Sequence, residues 1–226
     1  MKKSLNFLLI ACISLFNSCK KSDSDSSKII NYPSEGMVSY FNFDNNLKDN
    51  KGNTSDGVNH GAVFVSGKVG QAISFDGVTQ YVQFNKKTFR SGNNISVAFW
   101  FKKKANDNMY FLVCADFGVG FYYDKVNQVN KAFLAISLPS TNSAYGNYTL
   151  DVWTHIVGTY DGTYIKTYIN GILQNTVKHA GIISDMDNNL TIGLFGDSYV
   201  SGIIDELLIY NRTITQADVN QIYTAY

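Results

Sequence analysis

Residues 153–177 read "WTHIVGTYDGTYIKTYINGILQNTV", and this stretch decides the fold class. Asp161-Gly162 and Asn170-Gly171 punctuate three runs rich in Ile, Val, Thr and Tyr. Asp-Gly and Asn-Gly supply the left-handed backbone of a tight hairpin, and branched and aromatic neighbours suit a pleated, half-buried surface. Three consecutive antiparallel strands are predicted. Working outward, "AISFDGVTQYVQF" (72–84) is two period-2 runs around Asp76-Gly77. "NISVAFWFKKK" (94–104), "MYFLVCADF" (109–117), "KAFLAISLP" (131–139) and "LTIGLF" (190–195) add further strands. The only prolines, Pro33 and Pro139, fall at strand edges or loops, as hydrogen-bonded ladders require. No helical period persists before the C-terminus, and neither a transmembrane stretch nor a fixed repeat appears. The prediction is one all-β domain, a two-sheet antiparallel sandwich.

The single helix signal comes last, in "ITQADVNQIYTAY" (214–226). Thr215 can cap it, with Asp218 at the third helical position in a variant capping box, and Ile214 and Val219 stand where a hydrophobic staple forms. Val219, Ile222 and Tyr223 share one face. A short C-terminal helix covering a sheet edge is expected.

The N-terminus is not fold. In "MKKSLNFLLIACISLFNSC" (1–19), Lys2 and Lys3 precede an apolar run too short to span a bilayer and suited to secretion. The segment resembles a bacterial lipoprotein signal, which implies removal of residues 1–18 and acylation of Cys19; ordinary secretory cleavage near the same place is the alternative. The Ser/Asp-rich "KKSDSDSS" follows, so residues 19–30 are expected to be a flexible tether and residues 31–226 the folded domain. An outer-membrane or cell-surface location follows from that reading. Losing Lys2 and Lys3 leaves 17 basic against 18 acidic side chains, from 19 and 18 in the whole chain. Near-neutral charge argues against nucleic acid as a partner. Of three cysteines, Cys12 leaves with the signal and Cys19 carries lipid. Cys114 then stands alone among strand formers as an inert thiol, and the core rather than disulfides must hold the fold.

Five blocks carry a family resemblance: "MVSYFNFDNNLKDNKGNTSDG" (37–57), "GKVGQAISFDGVTQYVQF" (67–84), "NISVAFWFK" (94–102), "DVWTHIVGTYDGTYIKTYINGIL" (151–173) and "IDELLIYNRTITQADVNQIY" (204–223). In this order they resemble the LamG-like jelly rolls of the concanavalin A-like lectin/glucanase superfamily. The resemblance implies a two-sheet jelly roll, often with a structural calcium, serving as a recognition module in surface or secreted proteins. It also implies that the closing-strand Asp205 helps bind calcium together with the opening loop. That loop, "FDNNLKDNKGNTSDG" (43–57), is rich in oxygen donors. Asp44 and Asp205 are the first candidate ligands, with Asp49 and Asn53 as further ones. Asp44 and Asp205 could instead cap turns and backbone amides.

Side-by-side Asp205 and Glu206 raise the question of glycoside hydrolysis. Neighbours on a strand project to opposite faces, whereas a hydrolytic pair must converge at roughly 5–10 Å across one bond. The only other Glu is Glu35, and Asp185 and Asp187 lie in a turn-like "SDMDNN". No catalytic pair is predicted. His60 and His179 lie in loop-like contexts and His155 in a strand, with no metal-ligand spacing. No GxSxG motif or phosphate-cradling glycine loop occurs. Trp100 and Trp153 fall within strand motifs and are expected in the core. Aromatics in polar surroundings are more informative: Tyr122 and Tyr123, Tyr145 and Tyr148, and Phe195 and Tyr199. Tyr among Asn, Ser and Gly suits a recognition surface. The expected function is a non-catalytic, lipid-anchored module binding a glycan or a cell-surface protein. A degenerate glycan hydrolase or lyase of the same fold and a structural envelope lipoprotein are the alternatives.

Overall fold

The structure, a computed structural model, describes residues 31–54, 56–85, 93–106, 109–114, 117–137, 141–183 and 189–226. The signal-like segment, Cys19 and its tether, Pro139, Asp185 and Asp187 lie outside the described residues, as does the side chain of Cys114.

In chain order the strands are β1 (Met37–Phe41), β2 (Val58–His60), β3 (Val63–Ser66), β4 (Gln71–Asp76), β5 (Tyr81–Phe84), β6 (Asn94–Lys103), β7 (Met109–Cys114), β8 (Phe117–Asp124) and β9 (Val129–Ser137). Then come β10 (Thr141–Tyr148), β11 (Thr154–Asp161), β12 (Tyr164–Ile169), β13 (Ile172–Lys178), β14 (Leu190–Ile192), β15 (Leu194–Phe195), β16 (Ser198–Tyr199), β17 (Ser201–Tyr210) and helix α1 (Gln216–Thr224). The predicted meander is present: β11 pairs with β12, and β12 with β13, both antiparallel. Asn170 and Gly171 both take positive φ, +50° and +82°, as the tight hairpin turn requires. Asp76-Gly77 does different work. Its Asp accepts N–H bonds from Val78, Thr79 and Gln80 while the chain passes from one sheet to the other.

An eight-stranded sheet runs β13-β12-β11-β6-β17-β4-β3, with β1 also paired to β17. A seven-stranded sheet runs β10-β9-β8-β7-β14-β5-β2, and β15-β16 is a small separate ribbon. The two large sheets face each other as an antiparallel jelly-roll sandwich. Between them lies one core in which Phe41, Phe75, Phe84, Phe99, Phe101, Phe111 and Phe121 are all essentially inaccessible. Each such ring contributes about 1.5–3 kcal/mol by burial, and together they supply the cohesion of the sandwich.

Helix α1 starts as its sequence predicts. Thr215 Oγ1 accepts the Asp218 N–H and the Asp218 carboxylate accepts the Thr215 N–H, a complete capping box. Its position differs from the expected sheet edge. Val219 and Ile222 pack with Ile214 onto Ala98, Val157, Tyr168, Leu208 and Tyr210, on the outer face of the central strands of the eight-stranded sheet. A second apolar layer there outweighs edge protection, because β6, β11, β12 and β17 carry apolar residues on both faces.

One local feature overturns a simple strand reading. Glu206 has φ +53°, and the β17–β6 register shifts between the Asp205–Trp100 and Leu208–Ala98 pairs. This bulge leaves Glu206 and Leu207 opposite Phe99 alone. Leu207 enters the inter-sheet core. Asp205 and Glu206 therefore both lie on the outer, helix-covered face rather than on opposite faces.

Candidate functional site

The outer face of the seven-stranded sheet carries aromatic side chains that lie outside the main core. Tyr110 pairs with Gly120, Gly120 with Phe133, and Phe133 with Tyr145, a row crossing β7, β8, β9 and β10. Gly120 lacks a side chain, so Tyr110 and Phe133 meet across it, edge to face with centroids 5.4 Å apart. Gly118, the next residue on this face, has the same use: a Cβ there would stand 2.8 Å from the Tyr110 ring. Tyr145 packs on Phe133 at 5.3 Å and reaches Tyr122 at 6.1 Å. From the β15-β16 ribbon, Phe195 closes onto Tyr110 at 4.8 Å. Together with Ser198 these rings wall an open cleft of about 290 Å³. Tyr122, Tyr145 and Phe195 are 39%, 38% and 47% exposed, so flat apolar surface faces solvent.

Three of the six predicted ligand-binding aromatics, Tyr122, Tyr145 and Phe195, thus meet in one cleft. The other three stand elsewhere. Tyr123 follows Tyr122 on β8 and by alternation takes the opposite face. Tyr148 packs edge-on against the core ring of Phe121 at 5.5 Å. Tyr199, on the far side of the ribbon, faces Tyr81 at 6.4 Å, and Tyr81 stacks on His60 at 4.0 Å. Tyr122, Tyr123, Tyr145 and Tyr148 lie in strands, not in loops. Tyr110 and Phe133 went unrecognised because they sit in strands read as core. The one available signal is that Phe133 alternates with the core residues Ala132 and Leu134.

At the rim, Lys131 Nζ lies 2.8 Å from Asp124 Oδ2 and 6.0 Å from the Tyr145 ring centroid. Bonds from Lys131 and Asn127 hold the Asp124 carboxyl well below its usual range.

The acidic pair lies on the other sheet. Asp205 is fully buried; its Oδ2 accepts the Lys68 and Val69 N–H groups at 2.9 and 3.0 Å, and its Oδ1 accepts the Glu206 N–H at 2.9 Å. Glu206 Oε2 accepts hydroxyls from Tyr32, from Tyr40 at 2.7 Å and from Tyr226 at 2.8 Å. Burial pushes both carboxyls up, Asp205 to about 8, against the opposing pull of these donors. Trp100 joins the same layer, outside the inter-sheet core, between His155 and Tyr223 with Lys68 Nζ 4.2 Å from its ring centroid. His155 is buried and pushed down to about 3 by desolvation, then by Lys68. His60 lies in β2 rather than a loop, and His179 Nδ1 bonds Asn142 Nδ2 at 2.9 Å.

The opening loop was expected to hold calcium with Asp205. Asp44 Oδ1 accepts the Gln71 N–H at 2.8 Å, and its Oδ2 accepts Asn42 Nδ2 at 2.9 Å. Asp49 accepts backbone N–H groups of Tyr40, Lys51, Asn53 and Thr54 and the Ser39 hydroxyl. Asn53 Nδ2 donates to the Val38 carbonyl. A hard cation needs these same oxygen lone pairs turned to one point. Among the described residues no group of three or more His, Cys, Asp or Glu side chains is placed to hold a metal. The oxygens of Asp44, Asp49 and Asp205 accept hydrogen bonds from the protein's own donors. Asp44 and Asp205 grip the Gly67–Gly70 turn from two sides. At Gly67 a Cβ would lie 2.5 Å from Asp205 Oδ2, and at Gly70 2.3 Å from Asp44 Oδ1.

Two antiparallel sheets in jelly-roll order, with an open aromatic cleft on one outer face, define a β-sandwich of the lectin-like class. The chain belongs to the Laminin_G_3 family of the concanavalin A-like lectin/glucanases superfamily, whose model matches residues 76–220. Comparison with curated proteins gives no match. Among solved structures, it is similar to domain 4 of AbnA, a GH43 extracellular arabinanase from Geobacillus stearothermophilus in complex with arabinotriose. Identity is 21% and the TM-score 0.67, covering 83% of this chain and 98% of that domain. It is also similar to the binding domain of Paraclostridial Mosquitocidal Protein 1, at 14% identity and TM-score 0.71, covering 84% and 52% of the two chains. A third likeness is to a botulinum neurotoxin type C structure, whose cell entry is described as dependent on two ganglioside molecules. There identity is 16% and the TM-score 0.65, with 84% and 51% covered. This chain spans about half the length of the two toxin structures. At such identities the likeness speaks for the fold alone.

Proposed function

We propose that the chain is a non-catalytic glycan-binding module, held at the cell envelope by lipid on Cys19. The observation that carries this reading is the cleft of Tyr110, Tyr122, Phe133, Tyr145 and Phe195, because folding gains nothing by leaving the rings of Tyr122, Tyr145 and Phe195 together in water. Sugar rings have one apolar face, and flat aromatic walls with hydroxyl rims suit them. The arabinotriose complex of the similar arabinanase domain and the ganglioside dependence of the toxin lend the reading support from two relatives of the fold. The absence of catalysis rests on the acidic pair: Asp205 and Glu206 are buried beneath α1 and three tyrosines, where no glycosidic bond can reach them.

The test is a glycan array on the full chain purified in mild detergent, set beside reducing-sugar release on the same glycans. Binding without release is expected, and Tyr145→Ala should weaken it tenfold or more, about 1.4 kcal/mol. If the protein releases sugar and Glu206→Gln abolishes release at unchanged melting temperature, it is an enzyme. If only proteins are captured and Tyr145→Ala has no effect, the glycan reading is wrong.

A further inference from the structure

The aromatic cleft is not isolated. Tyr145 is also a wall of a second cleft, about 400 Å³, lined by Asn127, Lys131, Asn147, Gln174 and Asn175. Asn147 and Val129 then lead into a third, about 500 Å³, which reaches Asn130, Tyr148 and Thr149. From Tyr145 to Thr149 the path follows four residues of extended chain, about 13 Å at roughly 3.3 Å per residue. Gly146 makes the junction possible: a Cβ there would stand 2.5 Å from Ile169 and 2.9 Å from Gln174, so its absence lets β10 lie against β13. Gln174 of one sheet is thereby brought beside Asn147 of the other.

We propose that the ligand is an uncharged, linear oligosaccharide of several units, laid from the aromatic cleft past Tyr145 into the amide-lined clefts along β10. The inference rests on the glycan-binding reading above and adds chain length and charge to it. Among the described residues, Lys131 is the only charged side chain lining the three clefts, and Asp124 neutralises it at 2.8 Å. Uronate or sulfate groups would seek cations for charge-assisted bonds, and the path supplies none that is unpaired. Primary amides both donate and accept, as sugar hydroxyls do. In the third cleft the Oδ1 of Asn130 is buried with no partner, an acceptor suited to a ligand hydroxyl. A single sugar ring engages one station; a chain engages the aromatic wall and the amides together.

Calorimetry on the full chain tests this with cello-, xylo-, malto- and arabino-oligosaccharides of one to six units, and with oligogalacturonides of the same lengths. In the neutral series that binds, affinity should rise at least tenfold from one unit to four. Oligogalacturonides should bind at least tenfold more weakly than neutral chains of equal length. The double variant Asn147→Ala/Gln174→Ala, at two exposed positions, should abolish the length gain and leave short-chain binding in place. Tyr145→Ala should weaken short and long chains alike. Binding that depends on Tyr145 but not on length, or oligogalacturonides binding as tightly as neutral chains, would overturn this inference while leaving the proposed function standing. No binding by any neutral series would overturn both.

Discussion

Asp205 shows how one buried carboxylate organises a turn. Three backbone N–H groups converge on it, two from the Gly67–Gly70 turn and one from Glu206. Asp205→Asn keeps the shape but aims an NH2 at one of those donors. An unsatisfied buried donor costs about 1–3 kcal/mol, and a loss of that size in urea unfolding is expected. Because three N–H groups already take three of the four acceptor sites of this carboxylate, the wild type should melt identically in millimolar calcium and in excess EDTA. A chelator-induced drop, absent in Asp205→Asn, would instead place a cation at this residue. The importance of Asp205 was legible in the sequence, but its partner was not. Nothing in "GKVG" (67–70) says that its amides will face β17. In the cleft the limit was similar. Tyr122, Tyr145 and Phe195 stood out against polar neighbours, whereas Tyr110 and Phe133 sat among residues as apolar as themselves.

Strands, hairpins and the helix were readable because their signals are local. Asn170-Gly171 fixes a turn within two residues, and Thr215 with Asp218 fixes a helix start within four. The β17 bulge had no such signal: a non-glycine residue at φ +53° is set by what surrounds it. For Glu206 those surroundings are the hydroxyls of Tyr32, Tyr40 and Tyr226, contributed by the domain's first segment, β1 and the C-terminus. Pairwise alternation therefore put the two carboxylates on opposite faces, and a long-range cluster brought both to one. The helix itself closes this layer. Thr215→Ala removes the cap and should cost about 0.5–2 kcal/mol. Ile222→Ala, at a fully buried contact, should cost about 2–5 kcal/mol. Measured in denaturant, a larger loss for the cap than for Ile222 would mean that the helix is held by its end rather than by its packing.

At the scale of the molecule, the two outer faces of the sandwich divide the labour. The eight-stranded sheet is sealed by α1 and by the first residues of the domain: Gln221 Nε2 donates to the Asn31 carbonyl at 3.0 Å, and Tyr32 reaches Glu206. The seven-stranded sheet, roughly 10 Å away across the core, carries the cleft. Any tether ahead of residue 31 thus starts on the side facing away from the cleft. An anchor at Cys19 would therefore join the domain on its helix-covered side and not at the cleft. Acylation there would contribute about 0.8 kcal/mol per buried methylene, so more than one chain would give lasting attachment. The wild type should accordingly partition into detergent and Cys19→Ala into the aqueous phase. Anchored on proteoliposomes, the wild type should bind a neutral polysaccharide with the same Kd as soluble Cys19→Ala, because attachment does not shade the cleft. Unchanged partitioning of Cys19→Ala would remove the anchor from this account. A loss of polysaccharide binding only in the anchored form would show instead that the cleft faces the bilayer.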